Sequence, residues 1–381
     1  MFFNYRSFFH ALRLFLRERP YRLRRWLYVL GFTGLYSSFV IVVFSIRWLD
    51  RILFPGVERI EIRAPVFIIA PPRSGTSFLQ RLMTFDEDRF VYWKMYQTIL
   101  PTVLTERLIG AIFGLDRLLG RPVGRLMGWC EARWFGGWDN LHTMRMDAPE
   151  EDGALYLYAF ACEAIYMLFP YVDELWELGF PDRLPHARRQ SLMRYYRTCL
   201  QRLLYSAEGE RTLLIKSTNS CGSVEAILEE FPDARFITIM RDPVDSIASS
   251  ISLMMPALHA HSPNLPKDGE VSKAYARMSV EWYKYLHAFR LKVPKSQMHV
   301  VDYRNLVRDP KATVEDIYSH FGWKMPASVR ERLDRQNQEQ RSFKSSHRYT
   351  LEEFGIERAR LRAELAPVFD GSGFFDPSPC E

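Results

Sequence analysis

The stretch "FIIAPPRSGTSFLQRLM", Phe67 to Met83, limits what this chain can fold into more than any other. A β-branched and aromatic run stops at Pro71 and Pro72, which cannot donate to a strand ladder, and "RSGTS" then opens a helically spaced segment. A strand feeding a helix through a tight turn aims several backbone N–H groups, and the positive helix end, at one point. Such a turn suits an anion. Gly75 lets the backbone come close, Ser74, Thr76 and Ser77 add hydroxyl donors, and Arg73 supplies a fixed charge. It is not a triphosphate loop of the form GxxxxGK[ST], because Ala70 stands at the first glycine and Thr76 at the lysine. Taken alone, the same pattern also fits a bare strand-to-helix turn.

From Pro65 onward, short β-branched runs alternate with helical patterns, the mark of an α/β fold with a central parallel sheet and helices on both faces. Strands are expected at Val66 to Ile69, Thr212 to Lys216, Arg235 to Met240 and Met298 to Val301. Helices are expected at Ser74 to Thr84, Glu151 to Leu168, Arg188 to Ser206, Ser223 to Glu230, Pro243 to Leu253, Lys273 to Leu291 and Lys311 to Phe321. The aromatic and glycine-rich stretch from Val91 to Asp147 reads as an insertion over a pocket. Two regions are expected: a membrane-associating segment over 1–54 and a catalytic domain over 65–381.

A second anion site is spelled in "FITIMRDPVDSIASSISL". A strand ends at Arg241, a helix begins with Pro243 in its first turn, and Ser249 lies two turns in, so arginine and serine can meet one phosphate. The pair "PPRSGTS" and "RDPVDSIAS" resembles the PAPS-dependent sulfotransferases, with the arginine-to-serine spacing of that superfamily. "LHTMRMDAPEEDGALY", "LLIKSTNSCGSVEAILEEFPDARF", "VVDYRNLVRDP" and "SSHRYTLEEFGI" are similar to its bacterial-type branch, and the likeness spans roughly Pro65 to Leu365.

The resemblance implies a P-loop-like three-layer fold and an enzyme that moves a sulfuryl group from PAPS to an acceptor hydroxyl by in-line displacement, releasing PAP. By resemblance, Arg73 to Ser77 hold the 5′-phosphosulfate, Arg241 and Ser249 hold the 3′-phosphate, and Lys216 reaches the leaving oxygen. Lys344 and Arg348 lie in a polar loop that could close over the 3′-phosphate. Fixed cations can replace a metal in sulfuryl transfer, and no metal-ligand cluster is visible. Relatives often carry a glutamate where this chain has Lys94, which leaves His142, then Glu151 beside Glu150, as candidate general bases. The two acids fit a role as helix-start charges equally well, so the sequence leaves "DAPEED" with both readings.

Before that domain, "RSFFHALRLFLRERPYRLRR" sets seven arginines against one acid, Glu18, and reads as a basic interfacial helix. Trp26 to Ile46 follows, 21 residues without a charge, long enough to cross a bilayer. The positive-inside bias puts the arm in the cytosol, and five scattered cysteines suit a reducing compartment for the catalytic domain too. A re-entrant or in-plane segment, bent at Gly31, Thr33, Gly34, Ser37 or Ser38, would satisfy both. With a net charge of +6, anionic partners are favoured. A membrane and a hydroxylated small-molecule or lipid acceptor fit; nucleic acid does not, since the basic residues do not interleave with aromatics along one face. The rival readings are a P-loop nucleotide kinase or phosphotransferase, and a non-catalytic membrane-bound protein that keeps the PAP-binding fold. The acceptor and the oligomeric state are not legible.

Overall fold

The computed structural model describes residues 1–121, 125, 146–207, 209–340 and 350–369. Five strands, β1 (Val66–Ile69), β2 (Phe90–Val91), β3 (Thr212–Lys216), β4 (Arg235–Met240) and β5 (Met298–Asp302), form one parallel sheet in the order β2-β3-β1-β4-β5. The chain places β3 on one side of β1 and β4 on the other. Such a switch point opens a crevice beyond the carboxyl ends of the central strands.

The sheet is the middle of three layers. Phe67 and Ile69 point into one core, Val66 and Ile68 into the other, as alternation in a doubly covered strand requires. The helices that matter below are α1 (Tyr5–Arg17), α2 (Leu23–Leu53), α3 (Thr76–Met83), α4 (Val103–Leu118), α5 (Gly153–Tyr158), α6 (His186–Ser206), α7 (Pro243–His261) and α8 (Glu270–Lys292). Strands β1, β3 and β4 have their expected limits and β5 runs one residue further. β2 has only two residues, too few for a period-2 signal.

The helix expected over 151–168 is corrected. α5 stops at Tyr158, Phe160 adopts φ 51°, and a 3-10 turn follows over Glu163–Met167. The Phe160 ring packs on Phe3, Phe8, Tyr36 and Phe169, so contacts with the amino-terminal helices override local propensity.

Those helices share the main core: Phe2, Ala11, Phe15 and Val29 are buried in it. α2 is one continuous helix of 31 residues, with Gly31 and Gly34 inside it. Its buried residues Arg25, Val29, Thr33, Val40, Val43, Arg47 and Asp50 recur every three to four positions or a multiple of that, which makes one inward stripe. The stripe is ionic at both ends. Arg25 pairs with Glu18 at 2.8 Å and meets His261 Nδ1 at 2.7 Å. Arg47 donates to Thr198 Oγ1 at 2.8 Å, and Asp50 pairs with Arg202 at 3.0 Å. Asp50 also accepts from the N–H groups of Val103 and Leu104, capping α4.

Candidate active site

Three neighbouring strand ends supply the site. After β1, Pro71 and Pro72 end the ladder and the turn needs two left-handed residues, Arg73 at φ 66° and Gly75 at φ 90°. For arginine that conformation costs about 1–2 kcal/mol, so the surroundings must hold it. Arg241, just past β4, does so by donating Nη1 to the Arg73 carbonyl oxygen at 2.6 Å, and Ser250 Oγ donates to the Pro72 carbonyl at 3.1 Å. Arg73 Nε in turn donates to Ser249 Oγ at 3.0 Å. Arg73, Arg241 and Ser249 are therefore one cluster.

Asp242 explains how β4 turns so sharply into α7: its side chain accepts from the Val244 N–H at 2.8 Å while Pro243 takes the first helical position. The Arg241 guanidinium lies 4.4 Å from the Tyr303 ring centroid, and its buried Nε has no hydrogen-bond partner among the described residues. The same ring closes on Gly75, where an added Cβ would sit 2.9 Å from Tyr303 Cε2. Only glycine fits there.

From the other side comes β3. Lys216, its last residue, is 3% exposed; Nζ donates to Ser77 Oγ at 2.8 Å and pairs with Glu151 Oε2 at 3.3 Å. Thr218 Oγ1 donates to the same carboxylate oxygen at 2.9 Å. Ser74 and Thr76 are buried in the turn and first helical position of α3, and Ser77 is exposed beside them. Lys216, Ser77 and Glu151 thus form a second cluster joined to the first through the Ser74–Ser77 turn.

Asp152, fully buried behind Glu151, was not among the residues singled out from sequence. It accepts from Tyr196 Oη at 2.5 Å and from Ser217 Oγ at 2.8 Å, and its N–H donates to the Lys216 carbonyl at 3.2 Å. Burial pushes its carboxyl up to about 7, with the Tyr196 and Ser217 hydrogen bonds acting the other way. No pattern in "DAPEED" separates this buried acid from its half-buried neighbours Glu150 and Glu151. Tyr303 was equally invisible, although it lies inside the quoted "VVDYRNLVRDP".

Lys94 forms an antiparallel bridge with Pro149, and the Glu150 N–H donates to the Trp93 carbonyl at 2.8 Å. The acidic segment is therefore laid against the very stretch in which a glutamate was expected. His142, Lys344 and Arg348 lie outside the described residues.

A profile of the "Sulfotransferase family" matches residues 65–327, more than half of the chain. The chain belongs to the sulfotransferase family. Two curated relatives, the omega-hydroxy-beta-dihydromenaquinone-9 sulfotransferases Stf3 of Mycobacterium bovis and Mycobacterium tuberculosis, are each 24% identical over 328 residues, covering 82% of this chain and 76% of theirs. Among solved structures, sulfotransferase STF1 from Mycobacterium tuberculosis H37Rv superposes with a TM-score of 0.70 at 21% identity over 96% of this chain and 92% of that one. Sulfotransferase STF9 from Mycobacterium avium gives 0.67 at 20% identity over 84% and 79%. These overlaps concern the fold. The sulfotransferase family, with its transferase chemistry, prevails over the kinase and scaffold readings.

Proposed function

We propose that this sulfotransferase draws its sulfuryl group from PAPS and transfers it to the hydroxyl of a long apolar, membrane-proximal alcohol. The observation that carries the donor reading is the convergence of Arg73, Arg241, Ser249 and Lys216 at the carboxyl ends of β1, β4 and β3, with Arg241 Nε buried and without a hydrogen-bond partner among the described residues. A nucleotide bearing two separate phosphates fits that donor set. PAPS, when bound, supplies a sulfuryl group activated on a phosphate leaving group.

The chain supplies everything else. Arg241 and Ser249 bind the 3′-phosphate, and the backbone of the Arg73–Ser77 turn binds the 5′-phosphate at the start of α3. Arg73 and Lys216 place fixed charge where the leaving oxygen gains it. Lys344 and Arg348 belong to the same reading as outer contacts to the 3′-phosphate. Glu151, in contact with Lys216, takes the acceptor's proton in this reading; His142 is the second candidate, and is favoured if Glu151→Gln leaves the rate unchanged. Lys216 also holds Glu151 in place, so cation and base share one spot.

The acceptor class rests on two supports. The curated relatives are named for a lipid quinone derivative with a terminal hydroxyl, and apolar α2 packs directly on α5, the helix that the acids precede. The basic arm and the catalytic sheet share one core, so a cytosolic arm puts the active site in the cytosol as well. Incubation of the full-length protein with sulfur-35-labelled PAPS and a membrane lipid extract tests this. Label should move into the organic phase, and Lys216→Ala and Glu151→Gln should each cut the rate by about a hundredfold or more. Label confined to the aqueous phase, or phosphate transfer from magnesium-ATP instead, would overturn the reading.

A further inference from the structure

We propose that the outward faces of α2 and α4 form one docking surface for a single leaflet of an anionic bilayer, on which the protein lies without crossing it. The first argument is mechanical. α2 is roughly 46 Å long at 1.5 Å per residue, enough to span a membrane. Yet it is fastened along its whole length to one body: Arg25 to His261 at the end of α7, Tyr36 Oη to the Leu157 carbonyl at 2.7 Å, and Asp50 to Arg202 on α6. Were α2 to stand across a bilayer, those ionic groups and the helices that carry them would have to enter hydrocarbon. The helix therefore lies along the membrane plane.

The second argument is what its outer face presents. Leu27, Leu35, Ile41 and Trp48 on α2 are between 55% and 73% exposed, and Ile112, Leu115 and Leu118 on α4 between 52% and 84%. The Asp50 carboxylate caps the first N–H groups of α4, so the carboxyl end of α2 and the start of α4 meet at one corner of the molecule. An apolar surface of this kind needs a cover.

The third argument selects that cover. Arg17, Arg19, Arg22 and Arg24 are exposed beside the start of α2, and Arg6 and Arg13 are exposed on α1. The one acid of that segment, Glu18, is already paired with Arg25. An apolar face flanked by unbalanced arginines is complementary to acidic headgroups over acyl chains. Docking so places the bilayer one helix away from Glu151 and Asp152, because Val40 and Val43 of α2 pack with Tyr158 of α5. An apolar acceptor could then reach the acids without leaving the leaflet; this consequence rests on the proposed acceptor class, whereas the docking itself does not.

Flotation of the full-length protein with phosphatidylcholine vesicles, with and without phosphatidylglycerol, tests the proposal beside the double substitution Leu35→Glu, Ile112→Glu. Both side chains are exposed and remote from the donor cluster, so PAP titration and thermal melting should match wild type and certify the fold. Wild type should float with anionic vesicles and far less with neutral ones or at raised salt, and the double variant should lose about tenfold or more of the bound fraction. Failure of wild type to float, or equal flotation of the variant, overturns the proposal. So does a wild-type dimer in light scattering that the substitutions dissolve, which would make the face a protein interface. Absence of PAP binding by the wild type would instead count against the donor site alone.

Discussion

Replacing Asp152 with Asn should remove a pH dependence that the wild-type fold carries. The carboxyl is fully buried and its pKa is raised from 3.8 to about 7, chiefly by burial. Between those values the native state keeps the proton and the unfolded chain has lost it, so stability falls as pH rises. The whole window corresponds to about 4 kcal/mol, and the part sampled between pH 5 and pH 8 to about 3 kcal/mol. Asn keeps the shape and does not titrate. Its hydrogen bonds with Tyr196 and Ser217 can be kept by turning the hydroxyls, with a loss near 1 kcal/mol at either pH. Relative to wild type, Asp152→Asn should thus gain about 3 kcal/mol on going from pH 5 to pH 8, read by urea unfolding at both. Asp182, raised to about 6 by burial, titrates in both proteins and cancels in the difference, as does the burial part of the shift that takes Glu163 to about 8; the Asp152 charge adds a smaller upward push on Glu163, which Asn removes. Equal differences at the two pH values would refute the reasoning, and would mean that water reaches the carboxylate.

Further outcomes follow from the same contacts. Gly75→Ala should lower stability by about 1–2 kcal/mol for φ 90° alone, and should also weaken PAP binding because its Cβ displaces Tyr303, the ring under Arg241; unchanged affinity would show that Tyr303 does not set the arginine. Asp50→Ala strands the buried Arg202 guanidinium and uncaps α4, so chemical unfolding should show a loss of about 3–5 kcal/mol. A loss under 1 kcal/mol would mean α2 is only loosely held.

Much of the sheet was legible because β1, β3 and β4 are short β-branched runs bounded by Pro, Gly or charge, and the donor turn because Arg73, Gly75 and Thr76 are local in sequence. What was not legible is set by packing at a distance. α5 ends early because Phe160 fits among rings from α1 and α2, which no window around residue 160 contains. Asp152 differs from Glu150 and Glu151 only in what covers it, namely Tyr196 from α6 and Ser217 from the end of β3. α2 reads as a plain hydrophobic run over 26–46, since the charges that reveal its inward stripe, Arg25, Arg47 and Asp50, fall just outside that run. Those three residues turn a candidate span into a helix that lies on its own domain.

The account turns on the donor site, and calorimetric titration with adenosine 3′,5′-bisphosphate tests it most directly. Wild type should bind with one site per chain and ignore ATP, while Arg241→Ala, which removes the group that both holds the Arg73 carbonyl and offers Nε to a phosphate, should weaken binding at least tenfold in protein that still unfolds cooperatively, with the melting temperature lowered only by the loss of that contact. Absence of binding by folded wild-type protein, or binding that Arg241→Ala leaves intact, would contradict it.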